Sequence, residues 1–369
     1  MLQRLYVNNF RCFENFEFAV EHQASSLLIG KNGVGKSTVA KTLSVMQSIG
    51  RGINRVGDLI STKDFAHGRS EIPIRFEITA LLDNKKFFYT IALELPDKFK
   101  ELRVFEERLE VDSEVIFSRS QATVVAKGSR PHSDAQFTID WHVIALPLMQ
   151  PRSSDDAMLV FRNWLARMII VAPYPKLMSG TSTGETLYPM ADGSNLTDWM
   201  FGLLGQFPAS YSTIVAHLRQ VMPDIKDLVN ETVGSDAKRL LVNFSAGKEK
   251  LRLPFESLSD GEKCFFLSAI ILAANESYGP ILCFWDEPDN YLSMAEVRFF
   301  VTSLRSAFEH KGQLVVTSHN VEAIRAFSDD NTWLVDRKNH LEPTLIRRLE
   351  ALSPGPDLIT ALISGDLAL

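Results

Sequence analysis

Residues 26–46 read SLLIGKNGVGKSTVAKTLSVM, and the order of parts within that stretch decides the fold. An apolar run, Ser26 to Ile29, leads into the glycine-rich GKNGVGKST of Gly30 to Thr38, and VAKTLSVM follows with apolar residues at helical spacing. Strand, loop and helix in that order are what phosphate binding requires. Glycines let the backbone turn its N–H groups inward around the anion, and the helix presents its positive end to the same charge. Gly30, Lys31, Asn32, Gly33, Val34, Gly35, Lys36, Ser37 and Thr38 are therefore candidate nucleotide contacts. Lys36 has the reach for the β- and γ-phosphates, and the Ser37 hydroxyl suits Mg²⁺. The plain alternative, a glycine-rich turn with an incidental Gly-Lys-Ser, gives no reason for the strand and helix on its flanks. An α/β nucleotide-binding fold is the expectation.

Three later stretches bear on the chemistry. PILCFWDEPDNYLS, Pro280 to Ser293, reads as a buried strand ending in two acids. Successive strand residues point to opposite faces, so Asp286 can hold the Mg²⁺ shell while Glu287 polarises water as a general base. Alone, such a strand end is equally an acidic edge facing solvent. A second buried strand, QLVVTSHN from Gln313 to Asn320, ends 32 residues after Glu287 in His319, a side chain able to touch a γ-phosphate and orient water. LSDGEK, Leu258 to Lys263, opens an apolar helix. Ser259 with Glu262 three residues on is also a plain capping box.

In sequence these elements run phosphate loop, LSDGE, DEP, TSH, an order that resembles ABC-type ATPase heads. The likeness is to the soluble branch that includes SMC, RecF and OLD proteins and stand-alone bacterial "AAA family" ATPases. LYVNNFRCFENFEF near the N-terminus looks like the first hairpin of that branch, with Asn9-Phe10-Arg11 in its NFR position, and DGSNL, Asp192 to Leu196, before a helix matches a motif of the stand-alone ATPases. The resemblance implies ATP and Mg²⁺ as cofactors and a homodimer in which two ATP molecules lie between two heads. It implies that Ser259 and Gly261 contact the partner's nucleotide, that Arg11 is a further nucleotide-binding residue, and that Asp289 is another, in the loop crossing the interface. LSDGE replaces the family's LSGGQ. DNYLS departs from the commoner run after the acids. A glutamine between the lobes normally senses Mg²⁺; Gln121, Gln136 and Gln150 all remain candidates.

The 222 residues from Ser37 to Ser259 exceed what compact transporter subunits hold there. Ile72, Ile74, Phe76 and Ile78 alternate, Asp83-Asn84 turns the chain, and Phe87, Tyr89, Ile91 and Leu93 alternate again, predicting an antiparallel hairpin within a β-lobe. Phe161, Trp164, Leu165 and Met168, then Tyr211, Ile214, Leu218 and Val221, step by three and four as in amphipathic helices. Trp164 and Trp199 read as core rather than as base-stacking platforms. These patterns divide the chain into an N-terminal ATPase lobe with the β-lobe (1–127), a mainly helical insertion (128–245), a C-terminal ATPase lobe (246–350) and a tail helix (351–369). No heptad is sustained, so no long coiled-coil arm is expected. The tail, broken at Pro354-Gly355-Pro356, either covers the head or docks a partner. The 50 residues after His319 leave no room for the nuclease domain of OLD proteins.

Composition narrows the setting. With 369 residues, 45% hydrophobic and 23% charged, the chain is globular rather than disordered or collagen-like, and its length allows two or three domains at roughly 150 residues each. A net charge of −6 excludes a generally cationic surface, leaving DNA or RNA only a local patch. Arg337-Lys338 and Arg347-Arg348 read most simply as solvated. Cys12, Cys264 and Cys283 are too scattered for a metal box and odd in number, as in a cytoplasmic protein with reduced thiols. The alternating N-terminus lacks a signal-peptide core, and the apolar stretch Phe265 to Ala274 is too short to span a bilayer. The resemblance thus implies an ATPase switch controlling a separate effector, a nuclease or toxin, in a bacterial antiphage module. A RecF-like DNA-repair ATPase is the alternative, and a transporter subunit a distant third.

Overall fold

The computed structural model of the chain describes residues 1–128, 134–151, 153 and 156–352. They gather into two compact units, one formed by residues 1–168 with those from 329 onward and the other by residues 169–328.

In the first unit, strands β1 (Leu2–Asn8), β2 (Phe16–Ala19), β4 (Ile74–Leu82), β5 (Lys85–Glu94), β6 (Arg103–Val111), β7 (Glu114–Ser120), β8 (Thr123–Ala126) and β9 (Ala135–Thr138) form one sheet in the order β2-β1-β4-β5-β6-β7-β8-β9. All its pairings are antiparallel. The expected hairpin is β4 and β5. Its turn residues Asp83 and Asn84 both have positive φ, 49° and 61°, the backbone that matches strand twist in a tight hairpin. Alternation buries Ile74, Phe76 and Ile78 on one strand and Phe87, Tyr89 and Ile91 on the next, while Ile72 lies before the strand and is exposed. A separate strand β3 (Ser25–Ile29), buried throughout, pairs in parallel with β17 (Thr332–Asp336), which pairs antiparallel with β18 (Leu345–Arg348). Helices α1 (Lys36–Gly50), α2 (Val56–Leu59) and α3 (Ala157–Ala166) complete this unit.

The second unit holds parallel strands β10 (Ile169–Val171), β15 (Leu282–Trp285) and β16 (Gln313–Thr317). Beside them runs an antiparallel set, β11 (Thr181–Ser182), β12 (Ile225–Val233), β13 (Ala237–Ala246) and β14 (Glu249–Pro254). Its helices are α4 (Leu196–Gln206), α5 (Ser210–Val221), α6 (Asp260–Tyr278), α7 (Met294–Glu309) and α8 (Val321–Arg325). Every residue of α6 from Lys263 to Asn275 is buried, the situation of a helix apolar on all sides at the centre of a domain. Among the described residues no helix is long and apolar enough to cross a membrane.

The unit boundaries fall at 168/169 and 328/329, not at the expected 127/128 and 245/246. Residues 128–245 contain α3, α4 and α5, but also β9 to β12 and most of β13. The reason is local packing. On α1, the Gln47 side chain donates to the Met168 carbonyl at 2.6 Å and Arg51 to that of Ala166 at 3.1 Å, which fastens the α3 segment to α1. Phe161 of α3 packs on the rings of Phe87 and Tyr89 at 5.7 and 5.6 Å. Just beyond, β10 joins β15 in parallel. Trp164 and Trp199 are core residues, as expected. The three cysteines are free and buried. Of the expected tail helix over 351–369, residues 353–369 lie outside the described residues.

Candidate functional site

The phosphate loop hangs between the buried end of β3 and the first turn of α1. Gly30 takes φ 150° where a Cβ would lie 2.0 Å from the Val335 carbonyl oxygen, and Gly35 takes φ 113° where a Cβ would meet Cys12 Sγ at 2.8 Å. Both positions therefore need glycine. The loop is braced from outside by side chains that sequence reasoning missed: Thr344 donates its hydroxyl to the Val34 carbonyl at 2.7 Å, and its amide donates to the Cys12 carbonyl at 3.0 Å. Cys12 Sγ lies 3.5 Å from Thr38 Oγ1. Lys31, Asn32, Gly33 and Ser37 are exposed, while Val34, Lys36 and Thr38 are buried. The Lys36 ammonium donates to the carbonyls of Gly30 and Lys31 at 2.7 and 3.1 Å. A cation thus sits inside the loop, and α1 carries no acid in its first turn to oppose an anion there. The fit to a phosphate chain is good.

Arg11 sits at the edge of the same unit with φ 56°. Its amide donates to the Asp64 carbonyl at 2.7 Å and its guanidinium to the Asp64 carboxylate at 2.9 Å. Burial works against that carboxylate, but the Ser61 amide and the Arg11 guanidinium hold it below the usual range. Arg11 is thereby committed to Asp64. Gln121 falls in the turn between β7 and β8, Gln136 in β9 and Gln150 in the loop before α3, all three exposed. Arg337 donates to the carbonyls of His340 and Glu342, and Arg348 stacks on Trp333 at 5.0 Å, so these two cations are engaged within their own unit.

In the second unit the acids stand where two buried parallel strands end. Asp286 follows β15 and its amide donates to the Val171 carbonyl at 2.8 Å. Glu287 adopts φ 49°, uncommon for a residue with a side chain. Thr317, the last residue of β16, donates its hydroxyl to Asp286 Oδ1 at 2.5 Å and accepts the Glu287 amide at 2.9 Å. Asn290 donates to Glu287 Oε2 at 2.6 Å, and His319 Nε2 lies 3.5 Å from Glu287 Oε1. The structure therefore brings Asp286, Glu287 and His319 together and adds Thr317 and Asn290. An aspartate oxygen is the hard donor that Mg²⁺ takes alongside phosphate and water. Among the described residues no three His, Cys, Asp or Glu side chains form a metal cage.

Asp289 and Ser259 each have local partners. Asp289, expected in a loop facing a partner, is 7% exposed; burial raises its carboxyl, a hydrogen bond to Ser318 opposes that, and Oδ1 is left without a hydrogen-bond partner. Its side chain is bonded to Ser318, the residue after β16. Ser259, expected to meet a phosphate, is exposed but caps α6: its hydroxyl donates to Glu262 Oε2 at 2.7 Å and accepts the Glu262 amide at 3.3 Å. The capping reading holds in full. Gly261 packs close to the acid-bearing loop, since a Cβ there would lie 3.0 Å from the Tyr291 carbonyl oxygen.

DGSNL organises a turn rather than a reactive site. Ser194 donates its amide to Asp192 Oδ1 at 2.9 Å, and Asn195 accepts the Met190 amide at 2.7 Å and donates to the Tyr188 carbonyl at 3.0 Å.

Comparison with known proteins gives the family and the fold. A family model described as the RecF/RecN/SMC N-terminal domain matches residues 1–340. Among solved structures, the chain is similar to an Smc head bound to the C-winged helix domain of ScpA, at 15% identity, TM-score 0.57, and coverage of 95% of this chain and 99% of that one. It is also similar to an Smc head domain with an extended coiled coil, bound to the C-terminal domain of ScpA derived from Pyrococcus furiosus, at 14% identity, TM-score 0.56, and coverage of 95% and 97%. At such identities the likeness is one of fold. No curated protein matches the sequence.

Proposed function

The chain belongs to the RecF/RecN/SMC N-terminal domain family, and on that footing we propose that it is a Mg²⁺-dependent ATP-binding and ATP-hydrolysing switch. The phosphate loop and Lys36 bind the triphosphate. Ser37 and Asp286 are the residues that would hold Mg²⁺, which when bound neutralises charge on the phosphate oxygens. Glu287 takes the proton of the attacking water, and His319 orients that water and the γ-phosphate. Ser259 and Gly261 of a second copy close the same nucleotide, so the triphosphate state is a homodimer and hydrolysis opens it.

Two observations, each within its own unit, support this proposal: an ammonium inside a glycine loop, and an Asp286 carboxylate and Glu287 amide held by one hydroxyl at the ends of buried strands. One supplies phosphate binding and the other a base. A separate partner protein is supported by the similar heads, each described with a bound domain of ScpA. We read that partner as an effector in a bacterial antiphage module. The alternative is a DNA-repair ATPase, which would need a local basic patch; salt-dependent binding of duplex DNA in the presence of ATP would favour it.

The test is direct. Purified protein should turn over ATP only with Mg²⁺, and Lys36→Ala should lose nucleotide binding by about tenfold or more, as expected for removing a charge-assisted phosphate contact. Equal binding by Lys36→Ala would overturn the role of the loop.

A further inference from the structure

In TSH, Thr317 to His319, all three side chains face an acid of the DEPD segment. Thr317 binds Asp286, Ser318 binds Asp289 and His319 faces Glu287. The parallel register explains the match. Trp285 of β15 lies beside Val316 of β16, so the next residues, Asp286 and Thr317, emerge side by side from two fully buried strands.

Thr317 bonds two successive acidic residues through one oxygen. Its hydroxyl has one proton and two lone pairs. The proton goes to Asp286 Oδ1 at 2.5 Å, and a lone pair takes the Glu287 amide at 2.9 Å. Thr317 is fully buried, and a β-branched side chain has few rotamers to exchange. Its oxygen therefore fixes both the Asp286 carboxylate and the left-handed backbone that presents Glu287, a conformation that persists only where its surroundings enforce it.

We infer that Thr317 is the positioning residue of the acidic pair, setting the Asp286 carboxylate for the metal and the Glu287 backbone for its work as base through one hydroxyl. The inference rests on the ATPase reading above and assigns the part of TSH which that reading leaves idle. A strand-end threonine with only a packing role predicts instead that the methyl matters and the hydroxyl does not.

The test uses the full chain with Thr317→Val, which keeps the shape and removes the hydroxyl, and Thr317→Ser, which keeps the hydroxyl. Affinity for a fluorescent ATP analogue is measured in EDTA and in Mg²⁺, and ATP turnover is measured across Mg²⁺ concentration. Thr317→Val should bind like wild type in EDTA, lose the tightening given by Mg²⁺, and fall about tenfold or more in turnover. Thr317→Ser should stay within about threefold of wild type in both readouts. Thr317→Val behaving as wild type, or Val and Ser variants failing alike, overturns the inference. Should Thr317→Val not fold, the serine variant decides: activity near wild type supports the hydroxyl's role, and loss of activity overturns it. Glu287→Gln run in parallel separates the failures, because normal turnover there sinks the ATPase reading itself, whereas its loss beside an active Thr317→Val sinks only the role of Thr317.

Discussion

Arg11 and Asp64 fix the turn that carries Cys12 to the phosphate loop, through one backbone and one side-chain hydrogen bond. Because the folded-state carboxyl of Asp64 is held below its ordinary 3.8, its contribution to stability is present above that value and is lost as pH falls through the lowered one. Asp64→Asn should therefore lower the melting temperature by about 2–4 °C near neutral pH, the size expected for one lost hydrogen bond in a domain of this length, with the deficit shrinking below about pH 4. A deficit independent of pH would contradict this. At the same scale, Lys36, Asp286, Glu287 and His319 were legible because each ends or follows a motif whose spacing is chemical. Thr317 and Thr344 were not. A threonine at a strand end satisfies β-propensity, and nothing in its neighbours along the chain reveals which distant carboxylate or carbonyl it will meet.

The elements divide along the same line. The β4–β5 hairpin was legible because period-two burial and Asp83-Asn84 point to one answer, whereas β10 has three residues and β12 exposes most of its length, leaving no period to read. In β6 the inward position at Glu107 carries an acid, which pattern alone cannot justify. Its carboxylate accepts from the amides of Ala145 and Leu146 at 2.7 and 2.9 Å and from Tyr89 at 2.9 Å, with Arg119 3.7 Å away. Arg119 in turn donates to the carbonyls of Gln121, Asp140 and Val143. Burial raises the Glu107 carboxyl while those amides and Arg119 oppose it. This fully buried pair sews residues 140–146 to the sheet. Glu107→Ala leaves Arg119 uncompensated and should cost about 3–5 kcal/mol, measured by chemical denaturation; a loss under about 1 kcal/mol would show the pair to be dispensable.

For the whole molecule, the proposed dimer would have two chains of net charge −6 meet around ATP, whose own negative charge would be met by local groups: Lys36, the amides of the loop, and the N-terminus of a partner's α6. That last contact would have Ser259 turn its hydroxyl proton from Glu262 Oε2 to phosphate while its oxygen still caps the Glu262 amide, so the helix cap is compatible with the proposed assembly. ATP-dependent dimerisation is the central claim, and the light-scattering mass of Glu287→Gln tests it most directly. With Mg²⁺ and ATP the account predicts a dimer that reverts to monomer in ADP, and a monomer in both when Ser259→Arg is added. A Glu287→Gln protein of the same mass in ATP and ADP would contradict it.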